Sequence, residues 1–307
     1  MIGSNLAHAL AAAGAKVTLL NTSAGNAFNI QDIKQKVTLA LADVADKKAL
    51  EQHIRNKDII FHLAAKVSPF TTDFNEILED MNVTRTSNIL LLEAVRKHND
   101  RALVVFSGSR MEYGRLIRIP AAESTRLEPT SFYGIDKAAA EKYYMLYNKT
   151  YGIPTISFRI TNPYGPRSQM RSSSFNIVNW FIRKALDNEQ LTIYGDGNQL
   201  RDYIYVEDLA GAMLIAASHK KAVGDVFNLG SGTATRFKDM AAMIVQQAGS
   251  GSIAHLPYPE QYQKAETGDF VADIKKIRKL GWQPTTALQA GIKKTVEFYR
   301  QHRQHYW

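Results

Sequence analysis

The 307-residue chain contains no cysteine. That absence removes disulfides, thiolate metal sites and thiol nucleophiles from consideration, and it fits a reducing compartment. No run of about 18 or more apolar residues occurs, which argues against a membrane-spanning helix. No charged, then apolar, then small-residue leader is visible at the start, so a cytoplasmic protein is expected. The eight histidines fall into no metal-ligating spacing, since His302 and His305 lie in a polar C-terminal stretch, and no metal site is expected. What is present is ample for a core. Hydrophobic residues make up 45% of the chain, and the length suits two domains or one large domain with an added lobe. A formal net charge of +9 would suit an anionic partner, but Lys and Arg are spread along the chain, as on a generally basic surface rather than a nucleic-acid patch.

The first half alternates short apolar runs with helical patterns. The runs Lys16–Leu20, Val37–Leu41, Asp58–Leu63, Ala102–Phe106 and Pro154–Phe158 read as buried parallel strands, with helices over Leu6–Ala13, Lys47–Arg55, Asn75–His98 and Ile135–Tyr151 between them. This alternation requires right-handed crossovers and predicts an α/β, doubly wound parallel sheet of the Rossmann type. After Pro163 the pattern changes to mixed short elements rich in Gly, Ser, Asn and Arg, with a tight turn at Gly195-Asp196-Gly197-Asn198, as in a smaller α+β lobe packed at the carboxyl edge of the sheet. The expected division is 1–162 for the Rossmann domain, with a segment near 204–232 returning to it, and 163–307 for most of the second lobe.

Met1-Ile2-Gly3-Ser4-Asn5-Leu6 reads as the end of a glycine-rich dinucleotide fingerprint, with Gly3 its last glycine and a helix already under way. No strand precedes it. A doubly wound sheet places its first strand at the centre and its phosphate-approaching glycines in the turn that follows, so the expected sheet lacks its first strand and the sequence reads as truncated there.

Of the 14 tyrosines, only Tyr133 has a lysine four residues later, Lys137. On a helix that spacing puts both side chains on one face. An ammonium beside a phenol favours the phenolate and brings a group that ordinarily titrates near 10 toward working pH, where it can take a proton from a hydroxyl. Ser109 follows the Ala102–Phe106 run, where strand ends converge on ligands.

Together with Asp43-Val44, His62-Leu63-Ala64-Ala65, Asn82-Val83, Ser107-Gly108-Ser109, Tyr113-Gly114, Arg159, Asn162-Pro163-Tyr164-Gly165-Pro166-Arg167, Gly195–Tyr203 and Leu280-Gly281-Trp282, in that order, these residues resemble an extended short-chain dehydrogenase/reductase of the NAD-dependent nucleotide-sugar epimerase/dehydratase family, UDP-glucose 4-epimerase-like, over nearly the whole chain. The resemblance implies that Tyr133 deprotonates a sugar hydroxyl, that Lys137 holds the nicotinamide ribose and stabilises the phenolate, and that Ser109 bonds the same sugar oxygen. It implies an NAD site from Ile2, Gly3, Asn21, Asp43 at the adenine, Val44, Leu63, Ala64, Ala65, Asn82, Tyr133 and Lys137. Asn21 stands where an acidic residue usually meets both ribose hydroxyls, yet no neighbouring Arg or Lys awaits a 2′-phosphate, so NAD is favoured over NADP. The nucleotide-sugar substrate is implied to meet Ser109, Asn162, Asn176, Tyr194 against the base and Arg201 at the diphosphate. For Arg201 and Asp202 the structural alternative is a salt bridge to each other. The family commonly has Gly at Arg85, and it often has a second basic residue before Asp269, where only Lys264 is available here. A homodimer is expected through Asn75–His98 and Ile135–Tyr151.

The residues after Ser109 choose among reactions. Dehydratases of the resembling family carry an acid and a base there, but Arg110 cannot donate a proton at neutral pH and Met111 cannot accept one. Epimerisation through a 4-keto sugar is therefore the leading expectation, with a ketoreductase as its rival and a non-catalytic or RNA-binding relative as the alternative from another class. Glu112, in a strand-like register, is expected to point away from Ser109.

Overall fold

The computed structural model describes residues 1–23, 27–65, 73–171, 176–258 and 266–307, without the side chains of 80 and 82. In chain order the first half runs α1 (Ile2–Ala12), β1 (Val17–Asn21), β2 (Val37–Leu41), α2 (Lys47–His53), β3 (Ile59–His62), α3 (Phe74–Met81), α4 (Ser87–His98), β4 (Leu103–Ser109), α5 (Phe132–Tyr151) and β5 (Thr155–Ile160). The second half carries β6 (Asn162–Tyr164), α6 (Ile177–Leu186), β7 (Gln190–Tyr194), β8 (Leu200–Arg201), β9 (Tyr203–Tyr205), α7 (Val206–Ser218), β10 (Asp225–Leu229), β11 (Thr235–Arg236), α8 (Phe237–Ala248), β12 (Ser252–Leu256) and a closing helix Leu288–His302.

Strands β10, β5, β4 and β3 form a parallel sheet in that order, and β1 and β2 pair in parallel as a separate ladder. Among the described residues no strand pairs with both β1 and β3, so the two ladders are not joined. Lys57 Nζ, just before β3, donates to Thr18 Oγ1 on β1 at 2.9 Å. Both faces of the sheet are covered, as its alternation requires. In β4, Leu103 and Val105 join a core with Leu6 of α1 and Leu209 and Met213 of α7, while Val104 and Phe106 turn to Leu50, Leu92, Val95 and Tyr144 on α2, α4 and α5. Burial is complete along β4 and β5, so the sheet's carboxyl edge is held rigidly.

Segment 206–229 returns to this sheet, because α7 packs on its face and β10 pairs with β5. The remaining elements share another core, in which Phe181 and Ile182 of α6, Leu191 and Ile193 of β7, Met240 and Ile244 of α8 and Tyr299 of the closing helix meet Tyr164 and Tyr205. Gly195 and Gly197 take left-handed φ of 70° and 67° in the expected turn after β7, where a side chain would be strained. The expected helix from Asn75 to His98 is interrupted by one wide π turn, Asn82–Thr86, between α3 and α4.

Candidate functional site

Helix α5 begins earlier than the apolar pattern suggests, because the Ser131 hydroxyl accepts from Gly134 N at 3.1 Å and caps it. Tyr133 and Lys137 thereby fall in its first two turns. Gly134 explains how that end sits so low on the sheet edge: a Cβ there would lie 2.5 Å from Met111 O, so α5 rests directly on the short turn Arg110–Glu112 that follows β4. Lys137, 3% exposed, donates from Nζ to Ser107 O at 2.8 Å, with Nζ 5.8 Å from the centre of the Tyr133 ring. Ser109 ends the same strand and is nearly buried. Strand β4 and helix α5 thus bring Ser109, Tyr133 and Lys137 to one edge.

The polar frame beneath them was only partly visible in the sequence. Glu112 does not point away from Ser109. Its Oε1 accepts from Ser109 N at 2.7 Å while Ser109 Oγ accepts from Met111 N at 3.2 Å, a reciprocal cap in which the chain turns helically rather than continuing as the strand that the expectation assumed. The spacing Ser109-x-x-Glu112 was the available signal. Glu112 is fully buried against Arg159, whose guanidinium is gripped bidentately by Glu141 at 2.7 and 2.8 Å. Burial, then the charge of Glu141, pushes the Glu112 carboxyl well above its ordinary range, which favours its protonated form. His62 is also buried at the end of β3, with Nδ1 2.9 Å from Tyr144 OH. Burial, and then the nearby Lys137 charge, lower it to about 4, which keeps the ring neutral.

On the cofactor side, Gly3 lies in the first turn of α1, where an added Cβ would come within 3.7 Å of Leu63 Cδ1. Leu63, Ala64 and Ala65 follow the carboxyl end of β3. Asn21 ends β1 with its Oδ1 turned to Thr22 N at 3.0 Å, and Asp43 is exposed after β2 with Oδ1 accepting from Ala45 N at 2.8 Å, with half-buried Val44 beside it. Asn82 opens the π turn, and its side chain lies outside the described residues. Arg85, in the same turn, has a partner that composition did not disclose: its Nε meets Asp136 Oδ1 at 2.5 Å, one residue before Lys137. Carboxyl strand ends, small side chains and a helix N-terminus at one edge are what a dinucleotide requires.

The second lobe supplies the opposite wall. Asn162 on β6 donates from Nδ2 to Asp202 O at 2.8 Å and accepts from Arg110 Nε at 3.3 Å. Arg201 on β8 is buried and pairs with Glu266 at 2.5 Å rather than with Asp202. Asp202 instead accepts from Ser231 N, Gly232 N and Ala272 N. Tyr194, at the end of β7, has its ring 5.9 Å from that of Tyr258. Asn176 caps α6 through Oδ1 and donates to Pro163 O at 2.5 Å, so its amide serves the fold in this state. Lys264 lies outside the described residues.

Residues 1–230 match the model of the NAD dependent epimerase/dehydratase family. A UDP-glucose 4-epimerase of Mycolicibacterium smegmatis is 30% identical over 99% of this chain and 96% of its own length. Among solved structures, the UDP-glucose 4-epimerase of Thermotoga maritima with UDP-glucose is similar at a TM-score of 0.89, with 27% identity over 99% of this chain and 96% of its own. The Thermus thermophilus enzyme complexed with NAD is similar at 0.86, with 28% identity over 98% and 96%. The chain therefore belongs to the NAD dependent epimerase/dehydratase family of extended short-chain dehydrogenases/reductases, and NAD is its cofactor.

Proposed function

We propose that this protein epimerises a nucleotide-diphosphate sugar at C4, with a UDP-hexose as substrate. The observation that carries the reading is the Lys137 amine fixed 2.8 Å from Ser107 O, on the strand that ends in Ser109, with Tyr133 one helical turn away. In this reading Tyr133 takes the proton of the C4 hydroxyl, the neighbouring ammonium favours the resulting phenolate, and Ser109 holds the same oxygen in line. NAD, when bound, would supply reversible hydride acceptance at C4, so that the hydrogen removed from one face of the sugar could be restored to the other. Tyr133 then gives the proton back.

Arg110 and Met111 support isomerisation over elimination. Loss of water needs an acid and a base beside the sugar, and neither a guanidinium nor a buried thioether supplies one. Ile2, Gly3, Asn21, Asp43, Val44, Leu63, Ala64, Ala65, Asn82 and Lys137 are the proposed NAD contacts. Asn162, Tyr194, Arg201 and, after release from its cap, Asn176 are the proposed substrate contacts, with Arg201 at the diphosphate because its planar fork matches phosphate oxygens.

Incubating the protein with NAD and UDP-galactose, then separating the nucleotide sugars, tests the proposal. The expected outcome is interconversion with UDP-glucose and no net NADH. Stoichiometric consumption of added NAD(P)H with a keto-sugar would replace the epimerase by a ketoreductase, and failure to convert any nucleotide sugar would remove the assignment.

A further inference from the structure

Arg110 is adjacent to Ser109 in the chain, but its side chain crosses to the second lobe. Its Nη1 donates to Thr267 Oγ1 at 3.0 Å, its Nε meets Asn162 Oδ1 at 3.3 Å, and its Cζ lies 5.6 Å from the centre of the Phe270 ring. Both hydrogen-bond partners are neutral. The strongest charges on Arg110 are that of Arg201, which repels it, and that of Glu266, which attracts it; Tyr203 and the buried Asp202 carboxylate attract it less. Burial and then Arg201 lower its guanidinium to about 10, so two crowded cations persist here at a cost.

Of the two carboxylates that act on Arg110, Glu266 acts more strongly, and it is the one that also bonds Arg201. Glu266 Oε1 accepts from Arg201 Nη2 at 2.5 Å and from Gly268 N at 2.9 Å, while its Oε2 accepts from Tyr258 OH at 3.0 Å. Burial works to raise the Glu266 carboxyl, but Arg201, Tyr258 and Arg110 together hold it below its ordinary value. The two guanidiniums and Glu266 carry one net positive charge. A diphosphate, with about two negative charges, matches the pair better than Glu266 does; a single sugar carboxylate would only replace it one for one. The placement agrees, because Arg110 continues from Ser109 at the reacting end and Glu266 is bonded to Tyr258, whose ring faces Tyr194 at the proposed base end.

We propose that Arg110 is a second diphosphate-binding cation of this chain, and that Glu266 is a built-in competitor that occupies the guanidinium pair until a nucleoside diphosphate displaces it. The sequence between Tyr262 and Asp269 contains Lys264 but no arginine, so Arg110 adds a second planar guanidinium from the other side of the crevice. This inference rests on the nucleotide-sugar reading.

Calorimetric titration of the purified protein with UDP and with uridine tests it, in the unaltered chain and in Glu266→Gln, Arg110→Gln and Arg110→Lys, each checked by thermal melting. Glu266→Gln keeps one oxygen for Gly268 N, offers its amide NH2 to Tyr258 OH as acceptor and removes the competing charge, and it should tighten UDP roughly tenfold while leaving uridine unchanged. Arg110→Gln should weaken UDP by roughly ten- to a hundredfold, again without effect on uridine, and Arg110→Lys should recover part of that loss. UDP binding that is indifferent to both Gln substitutions, or weakened by Glu266→Gln, overturns the inference and leaves the nucleotide-sugar reading standing. An unaltered protein that binds neither UDP nor UDP-sugars overturns both.

Discussion

Tyr133 and Glu112 show how differently two polar residues at one strand end expressed themselves in the sequence. Tyr133 was legible because its role needs a local partner, and the four-residue spacing to Lys137 survives folding unchanged on α5. Removing only its hydroxyl, in Tyr133→Phe, should lower kcat by roughly 10²–10⁴ with little change in UDP affinity, since proton transfer is lost and the binding contacts remain. The direction of Glu112 followed from the helical turn after Ser109, signalled by the Ser109-x-x-Glu112 spacing, whereas its buried partners Glu141 and Arg159 arrive from α5 and β5 and only tertiary packing reveals them. The charged groups facing it are Glu141 and Arg159, with Arg159 lying over the Tyr113 ring and Lys142 pairing with Glu141 at 3.7 Å. Its raised affinity for a proton stabilises the fold fully below the ordinary carboxyl value of 4.5, and that contribution is lost as pH rises through the higher folded value. Glu112→Gln keeps an acceptor for Ser109 N and has no proton to lose. Thermal melts between pH 5 and 9 should therefore show the unaltered protein falling with pH by up to about 1.4 kcal/mol per unit and the variant falling less steeply. Parallel slopes in the two proteins would mean that Glu112 is ionised throughout.

At the scale of elements, strand positions followed from apolar runs, while helix boundaries were set by caps and by side chains far apart in sequence. Ser131 moved the start of α5, and the π turn Asn82–Thr86 divided a helix whose periodicity gave no warning. Arg85 accounts for part of that division. It projects from the wide turn to Asp136, which is 1% exposed and whose carboxyl burial pushes upward even though Arg85 pulls it down. Replacing Arg85 by Gly leaves this carboxylate buried without its cation. The expected cost is about 1–3 kcal/mol, discounted because the arginine itself is part-exposed, and it should be smaller at pH 5 than at pH 8 because a protonated Asp136 needs no cation. Chemical denaturation at the two pH values measures both effects. A loss independent of pH would assign the cost to the glycine backbone instead of the pair.

At the scale of the molecule, the chain has a core on each face of its sheet, a third core in the second lobe, and apolar side chains on α3, α4 and α5 that these cores leave outside. Phe74, Leu78, Ile89, Ile135, Met145 and Leu146 are all exposed on α3, α4 and α5, at 69, 41, 39, 42, 39 and 53%. Ile135 and Leu146 are three turns apart and so share a stripe of α5. Exposed apolar side chains on neighbouring helices are costly to leave in water, and helices that carry them can pair about a two-fold axis so that each copy covers the other. We propose that α4 and α5 of two copies meet in this way. The proposal bears on the site, because α5 is the element that carries Tyr133 and Lys137, and fixing it against a partner helix would hold both side chains at the sheet edge. Light scattering after size exclusion should give twice the chain mass for the unaltered protein. Leu146→Glu, which puts two like charges across the symmetric contact, should give the single-chain mass, with NAD-dependent turnover falling while the far-ultraviolet spectrum is kept. A monomer before substitution, or a dimer unmoved by Leu146→Glu and also by Ile89→Glu, would separate the exposed stripe from assembly and leave the position of Tyr133 to the Arg85–Asp136 pair and the Gly134 contact alone.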